Sequence, residues 1–289
     1  MNHPSKTAGC SRSGKLSALA LALLVATGSA LAGPVQPAPQ APAQQGAQPV
    51  AQQVTHPLVL LAHQQLLEGD LASAQALLRE AGAQGQGGSR ALAEQAFIED
   101  AGGRHMRARQ FYDALKGSDQ AAVIALPSAV NLAALGRFDQ AGKAFAELQK
   151  TSPNPQVQAY AGLWNLWVTA RQASDVGVKP AVTKARVEKL ARAIKPVDEH
   201  QRAMLALFQG KSDSSAVFAQ IDGLQAPDAV KRDLRTEAGL FAGGYLDYVR
   251  QDHAGALRLY ERALQQSRPT AMERPQLIQS SRALQLSSR

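Results

Sequence analysis

One spaced pattern of glycine and alanine recurs along this chain and constrains its fold more than any other feature. Gly69 is followed by an alanine five positions later, and the same pair recurs from Gly103 and from Gly136, so that the glycines are 34 and 33 residues apart. A fourth copy begins at Gln251, with glutamine in place of the glycine. Self-similarity at such a period is typical of proteins built from one repeated supersecondary unit.

Each copy predicts two antiparallel helices joined by a tight turn. After Leu58 the hydrophobic period is close to that of an α-helix, without strand-like alternation. The glycine ends the first helix, and the alanine five positions later lets the second helix approach closely. The residue two positions after the glycine is expected to pack into the turn. In the four copies it is Leu71, His105, Phe138 and His253.

The repeat resembles the tetratricopeptide repeat in its period, its glycine and its small residues. Pro153, seventeen residues after Gly136, stands where that family has its terminal proline. The resemblance covers residues 58–155 and 236–269 and is weak between them. It implies an all-α fold, an α-solenoid of about six tetratricopeptide-like helix hairpins with a terminal capping helix.

The middle of the chain does not keep the period. The 115 residues from Gly136 to Gln251 exceed three periods of 34 by 13, so we expect extra residues there, best placed at 174–180. Helices remain predicted at 155–172, 180–194, 197–209 and 213–221, and the capping helix at 270–286.

Two segments precede the helical domain, which we place at 58–289. Residues 1–32 predict a cleaved secretory signal peptide, because a basic stretch is followed by an apolar run and by Ala30-Leu31-Ala32. An uncleaved anchor is the alternative, although 17 residues are short for a bilayer. Residues 33–57 hold six prolines and no charge, which predicts an extended linker. We therefore expect a periplasmic or secreted protein without stable membrane insertion after processing.

Composition and motifs favour binding over catalysis. The formal charge of +8 falls to +5 without the leader, which is not typical of nucleic-acid binding. The single cysteine, Cys10, lies in the leader, so the mature chain has no cysteine-ligated metal. No histidine pair has metal-ligand spacing and no G-x-S-x-G occurs. We expect no cofactor, no metal site and no enzyme activity, although paired carboxylates leave no local signature.

Aromatic side chains form the most informative candidate site. Two sets of three follow the spacing i, i+4, i+7, which places each set on one stripe of a helix. With a turn extrapolated to Ala170, both sets fall on the same stripe of a first helix. In tetratricopeptide repeats that stripe lines a concave groove for partner peptides. The resemblance thus implies a groove of Phe97, Tyr160, Trp164, Trp167, Phe241, Tyr245 and Tyr248. Such a stripe is also typical of a hydrophobic core, and both interpretations stay open.

Residues 180–195 predict an amphipathic helix with a basic exposed face. From Lys179 to Lys195 there are six basic residues and one acid, Glu188. A solvated face is the simpler interpretation, and contact with an acidic protein, an anionic glycan or a membrane surface is the other. The residues that could make an anionic contact are Lys184, Arg186, Lys189 and Arg192.

These features predict a non-catalytic protein–protein interaction scaffold or adaptor of the cell envelope. The resemblance implies that it binds protein or peptide segments in secretion, pilus, outer-membrane or polysaccharide assembly. One alternative is an exported helical enzyme acting on envelope glycans, which a buried acid in a pocket would favour. The other is a protein that binds an anionic partner with the basic helix at 180–195. The sequence predicts no oligomeric state.

Overall fold

The computed structural model describes residues 57–287, and these residues are all-helical. They form thirteen α-helices and one π-helical segment, with no strand among them. The predicted signal peptide and all of the predicted linker except Pro57 lie outside the described residues. The elements are α1 (Pro57–Glu68), α2 (Leu71–Ala83), α3 (Ser89–Ala101), α4 (His105–Ala114), α5 (Ala121–Ala134), α6 (Phe138–Thr151), α7 (Pro155–Asp175), α8 (Pro180–Ala193), α9 (Glu199–Phe208), α10 (Ser214–Asp222), α11 (Asp228–Gly244), the π-helical segment Tyr245–Arg250, α12 (His253–Gln266) and α13 (Arg274–Ser287).

The helices pack as consecutive pairs. Six pairs run from α1–α2 to α11–α12, and the first helices of neighbouring pairs also contact each other from α1 through α11. The terminal helix α13 packs on α11 and α12 and reaches back to α5. The expected all-α class is confirmed, and helices occur at each of the predicted middle segments.

Two long first helices explain the irregular middle of the repeat. A residue with positive φ ends the first helix of every pair, and these six residues are separated by 34, 33, 41, 33 and 41 positions. They are Gly69, Gly103, Gly136, Gly177, Gly210 and Gln251. The extrapolated turn at Ala170 is wrong, because α7 continues to Asp175 and keeps Ala173 buried. The extra residues lie in α7 and in α11 with its π-helical segment, each longer by about two helical turns.

The core has two parts that meet within α5. The smaller cluster joins α1 to α4 and includes Ile124 of α5, whereas the larger one begins at Leu126 and extends to Leu277 of α13. Both chain ends of the described region therefore contribute to packing. Gln279 of α13 donates a hydrogen bond to the Ala134 carbonyl at 2.8 Å, which fastens the terminal helix to the third pair.

Close packing of α7 against the end of α11 gives a test of the fold. A methyl group on Gly244 would overlap the indole ring of Trp167. We expect Gly244→Ala to lower the free energy of unfolding by about 1–3 kcal/mol, the usual cost of overpacking a core. In Gly142→Ala the new methyl would lie 3.6 Å from Val168, an ordinary contact. That helix-interior change should stabilise by about 0.5–1 kcal/mol. Denaturant unfolding measures both, and equal effects would contradict the close approach.

Candidate functional site

The two aromatic sets pack against each other. Trp164 of α7 meets Phe241 of α11 edge-on, with ring centroids 5.4 Å apart. Tyr160 contacts the same phenylalanine at 6.0 Å, and Trp167 contacts Tyr248 at 5.9 Å. Each ring thus finds its partner within the chain, in the edge-to-face geometry that aromatic pairs prefer.

The groove interpretation of these rings is corrected by their burial. The six rings on α7, α11 and the π-helical segment are at most 5% exposed, so they form core in this structure. The stripes exist as the spacing predicts, but they face each other instead of solvent. The residues concerned are Tyr160, Trp164, Trp167, Phe241, Tyr245 and Tyr248. Phe97, the seventh residue of the predicted groove, is 9% exposed and lies elsewhere, at the edge of a cavity.

That cavity of about 120 Å³ lies between the first three helix pairs and the segment 269–278. On one side it is bordered by the inner face of the first pairs, meaning Leu66 of α1, Phe97 of α3 and Val130 of α5. The other side is the C-terminal wall, meaning the lining residues within 269–278, among them Met272 and Ile278. Its lining is therefore mainly apolar.

Asn131 supplies an unusual polar group to the lining. Its Nδ2 donates to Asp100 Oδ1 at 2.7 Å and to the His105 carbonyl at 2.9 Å, and the residue is 1% exposed. Its Oδ1 is buried without a hydrogen-bond partner. Rotating the amide would set its oxygen against two acceptors, so the two bonds fix which atom is left free. The site therefore offers a buried hydrogen-bond acceptor.

Asp100 is held in place by donors on three helices. His105 Nδ1 lies 2.9 Å from the same oxygen that accepts from Asn131. Burial raises the pKa of the Tyr112 phenol well above its usual value, and the charge of Asp100 raises it further. His105 lies after the second turn, where the repeat places it, and it also ties that turn to α3. His253 does the same after the sixth turn through Asp247, at 2.8 Å.

The basic helix has two of its four candidate cations free of ion pairs. Lys184 and Arg192 flank Glu188 at 3.7 and 3.5 Å. Arg186 and Lys189 are exposed, and no acidic partner for either is found within residues 57–287. These two residues lie on the outer side of α8, on the opposite face from the buried Val187.

A buried acidic residue lies beside the cavity but does not border it. Glu273 accepts a hydrogen bond from the Tyr160 hydroxyl, and burial and the nearby Glu237 raise the pKa of its carboxyl to about 7. Glu237 in turn lies 3.2 Å from His200, which is 3% exposed. The neighbours Met272 and Arg274 line the cavity, whereas Glu273 points into the core. The catalytic alternative called for an acid inside a pocket, and Glu273 lies outside this one.

Two further searches concern metals and membranes. Over residues 57–287, no group of three or more histidine, cysteine, aspartate or glutamate residues is arranged to hold a metal ion. None of the helices in that same range is long and apolar enough to cross a bilayer.

Comparison with known proteins gives no relative. No protein-family model matches this chain, and no curated protein matches it either. The tetratricopeptide resemblance therefore depends on the repeat residues themselves, and a functional argument depends on the geometry of the cavity.

Glu273 predicts how stability changes with pH. In the unfolded chain this carboxyl ionises near pKa 4.5, whereas folding raises its pKa to about 7, so stability is lost as pH rises across that interval. The difference corresponds to about 3 kcal/mol. Burial opposes a charge on His200, but Glu237 outweighs it and raises the His200 pKa, which acts in the same direction.

We expect Glu273→Gln to flatten this profile, because the amide stays neutral at every pH. Its stability should exceed that of the wild type most clearly at pH 8. Glu147→Gln, on the exposed side of α6, is the matched control and should keep the wild-type profile. Denaturant unfolding between pH 5 and pH 8 decides this, and a Glu273→Gln profile as steep as the wild type would show that another group causes the slope.

Proposed function

We propose that this protein is a non-catalytic scaffold or adaptor of the cell envelope that binds a segment of a partner protein. The observation that carries the proposal is the cavity on the inner face of the first three helix pairs, with its apolar lining and its buried free acceptor at Asn131. Ligand sites in proteins are typically apolar concavities with a few placed polar groups. This cavity has both properties.

We further propose that the helix pairs are tetratricopeptide-like units stacked as an α-solenoid. Support comes from the positive-φ residues, which end the first helix of each pair and keep a spacing of 33 or 34 residues in three of five intervals. The signal-peptide pattern at 1–32 supports export, and with it a role in secretion, pilus, outer-membrane or polysaccharide assembly.

Within this proposal the aromatic core positions the binding surface without touching the partner. The rings on α7 and α11 bring the last helix pairs onto the middle of the chain, and α13 then reaches α5. That contact places the C-terminal wall opposite Phe97. The proposed partner segment is therefore held between the inner face and the C-terminal wall.

Filling the cavity tests the proposal. Ala101 lines the cavity at the end of α3, so Ala101→Leu should occupy part of the space that the partner needs. Ala122→Leu makes the same change on the exposed side of α5 and is the matched control. We expect capture of a partner from envelope extracts to fall at least about tenfold with Ala101→Leu and to be unchanged with Ala122→Leu. Capture that is insensitive to Ala101→Leu would contradict binding at the cavity.

The basic helix supports a second candidate function, binding of an anionic partner. The supporting observation is that Arg186 and Lys189 are exposed without an acidic partner in the described region. If this helix only steers a partner toward the cavity, the double variant Arg186→Ala/Lys189→Ala should weaken binding at low salt alone, because exposed charges are screened within about 8 Å at physiological salt. Binding measured in 20 and 150 mM salt separates the two functions. A complete loss at 150 mM would favour the anionic partner.

A further inference from the structure

We infer that the cavity binds one apolar side chain of about leucine size, carried by a peptide whose backbone N–H donates to Asn131 Oδ1. This inference rests on the proposed function and names the chemistry that the partner segment must have. It concerns the first three helix pairs and the C-terminal wall.

The size of the cavity limits the group that enters it. Its volume is about 120 Å³. An apolar cavity of roughly 150 Å³ accommodates benzene in another protein, so this one suits a single branched aliphatic or small aromatic group. Leu66, Phe97 and Ile278 border it and offer dispersion contacts on both sides. A complete helix or a second large ring does not fit.

The free acceptor fixes the orientation of that group. An unpartnered buried oxygen costs free energy that a donor recovers on binding. Asn131 is fixed by the two bonds from its Nδ2, so its Oδ1 is preorganised to accept. A peptide N–H lies a few bonds from the side chain of its own residue, and one residue can therefore supply both the apolar group and the donor.

Charge selects a neutral donor over an ammonium group. The Asp100 carboxylate already accepts from Asn131 and lies 2.9 Å from His105 Nδ1. The Arg274 guanidinium also lines the cavity and is held there by the Ser267 hydroxyl at 2.5 Å. A cation entering the cavity would meet that positive charge, whereas a peptide amide would not.

Methionine methyl groups report on the cavity directly. The chain has four methionines, of which Met272 borders the cavity, Met204 is buried in the larger core cluster and Met106 is 58% exposed on α4. We would label the methionine methyl groups of the mature chain with carbon-13 and titrate N-acetylleucine methylamide as the probe. We expect a saturable shift of the Met272 resonance, with Met106 and Met204 unchanged.

Two probes and two variants test the parts of the inference separately. The analogue with an ester oxygen in place of the leucine N–H should bind about fivefold more weakly, the factor that a neutral hydrogen bond is worth. N-acetylalanine methylamide, with its smaller side chain, should also bind more weakly. Ala101→Leu should abolish the Met272 shift, and Ala122→Leu should leave it intact.

Several results would overturn the inference. Equal binding of the ester and amide probes would remove the role of Asn131, and no Met272 shift at tens of millimolar probe would remove the site. A Met272 shift that depends on protein concentration alone would assign the cavity to a second copy of the chain. If the probes fail while partner capture still depends on Ala101, the inference fails and the proposed function stands. If the probes bind and capture ignores Ala101, the proposed function fails instead.

Discussion

The contact between the aromatic faces of α7 and α11 is the constraint on which the rest of the structure depends. Trp164 and Phe241 are far apart in sequence, and their edge-to-face packing joins the fourth helix pair to the sixth. Gly244 makes the approach of Trp167 feasible, because any larger side chain would overlap the indole. Once these faces are buried against each other, the inner surface that is left for a partner is the part formed by the first three pairs.

Much of the architecture could be predicted from the repeat, because local spacing decides which side of a helix is apolar. The glycines predict the turns, and the i, i+4, i+7 spacing predicts the aromatic stripes. What a stripe faces is decided by contacts across the chain, which periodicity does not contain. The misplaced turn at Ala170 has a similar origin, since α7 continues until Gly177 can adopt a positive φ.

The cavity was predictable only in part. Phe97 follows from the repeat, because it holds the position of the inner stripe in the second pair. Asn131 stands in an otherwise apolar run, a polar residue at a position where the helix is buried, and that signal could have identified it. The C-terminal wall could not be predicted, because it comes from Gln279 and its neighbours packing back on α5 across more than a hundred residues.

The same closure decides where a functional variant should be placed. Glu273 lies between Met272 and Arg274 of the C-terminal wall and bonds to Tyr160 in the aromatic core. A change in the core therefore disturbs the wall as well as the fold, and a loss of binding in a tryptophan variant would have two causes. Ala101 touches the cavity from the opposite side, on α3, which belongs to the smaller core cluster. A substitution there changes the space for a partner while the contacts between α7 and α11 stay in place.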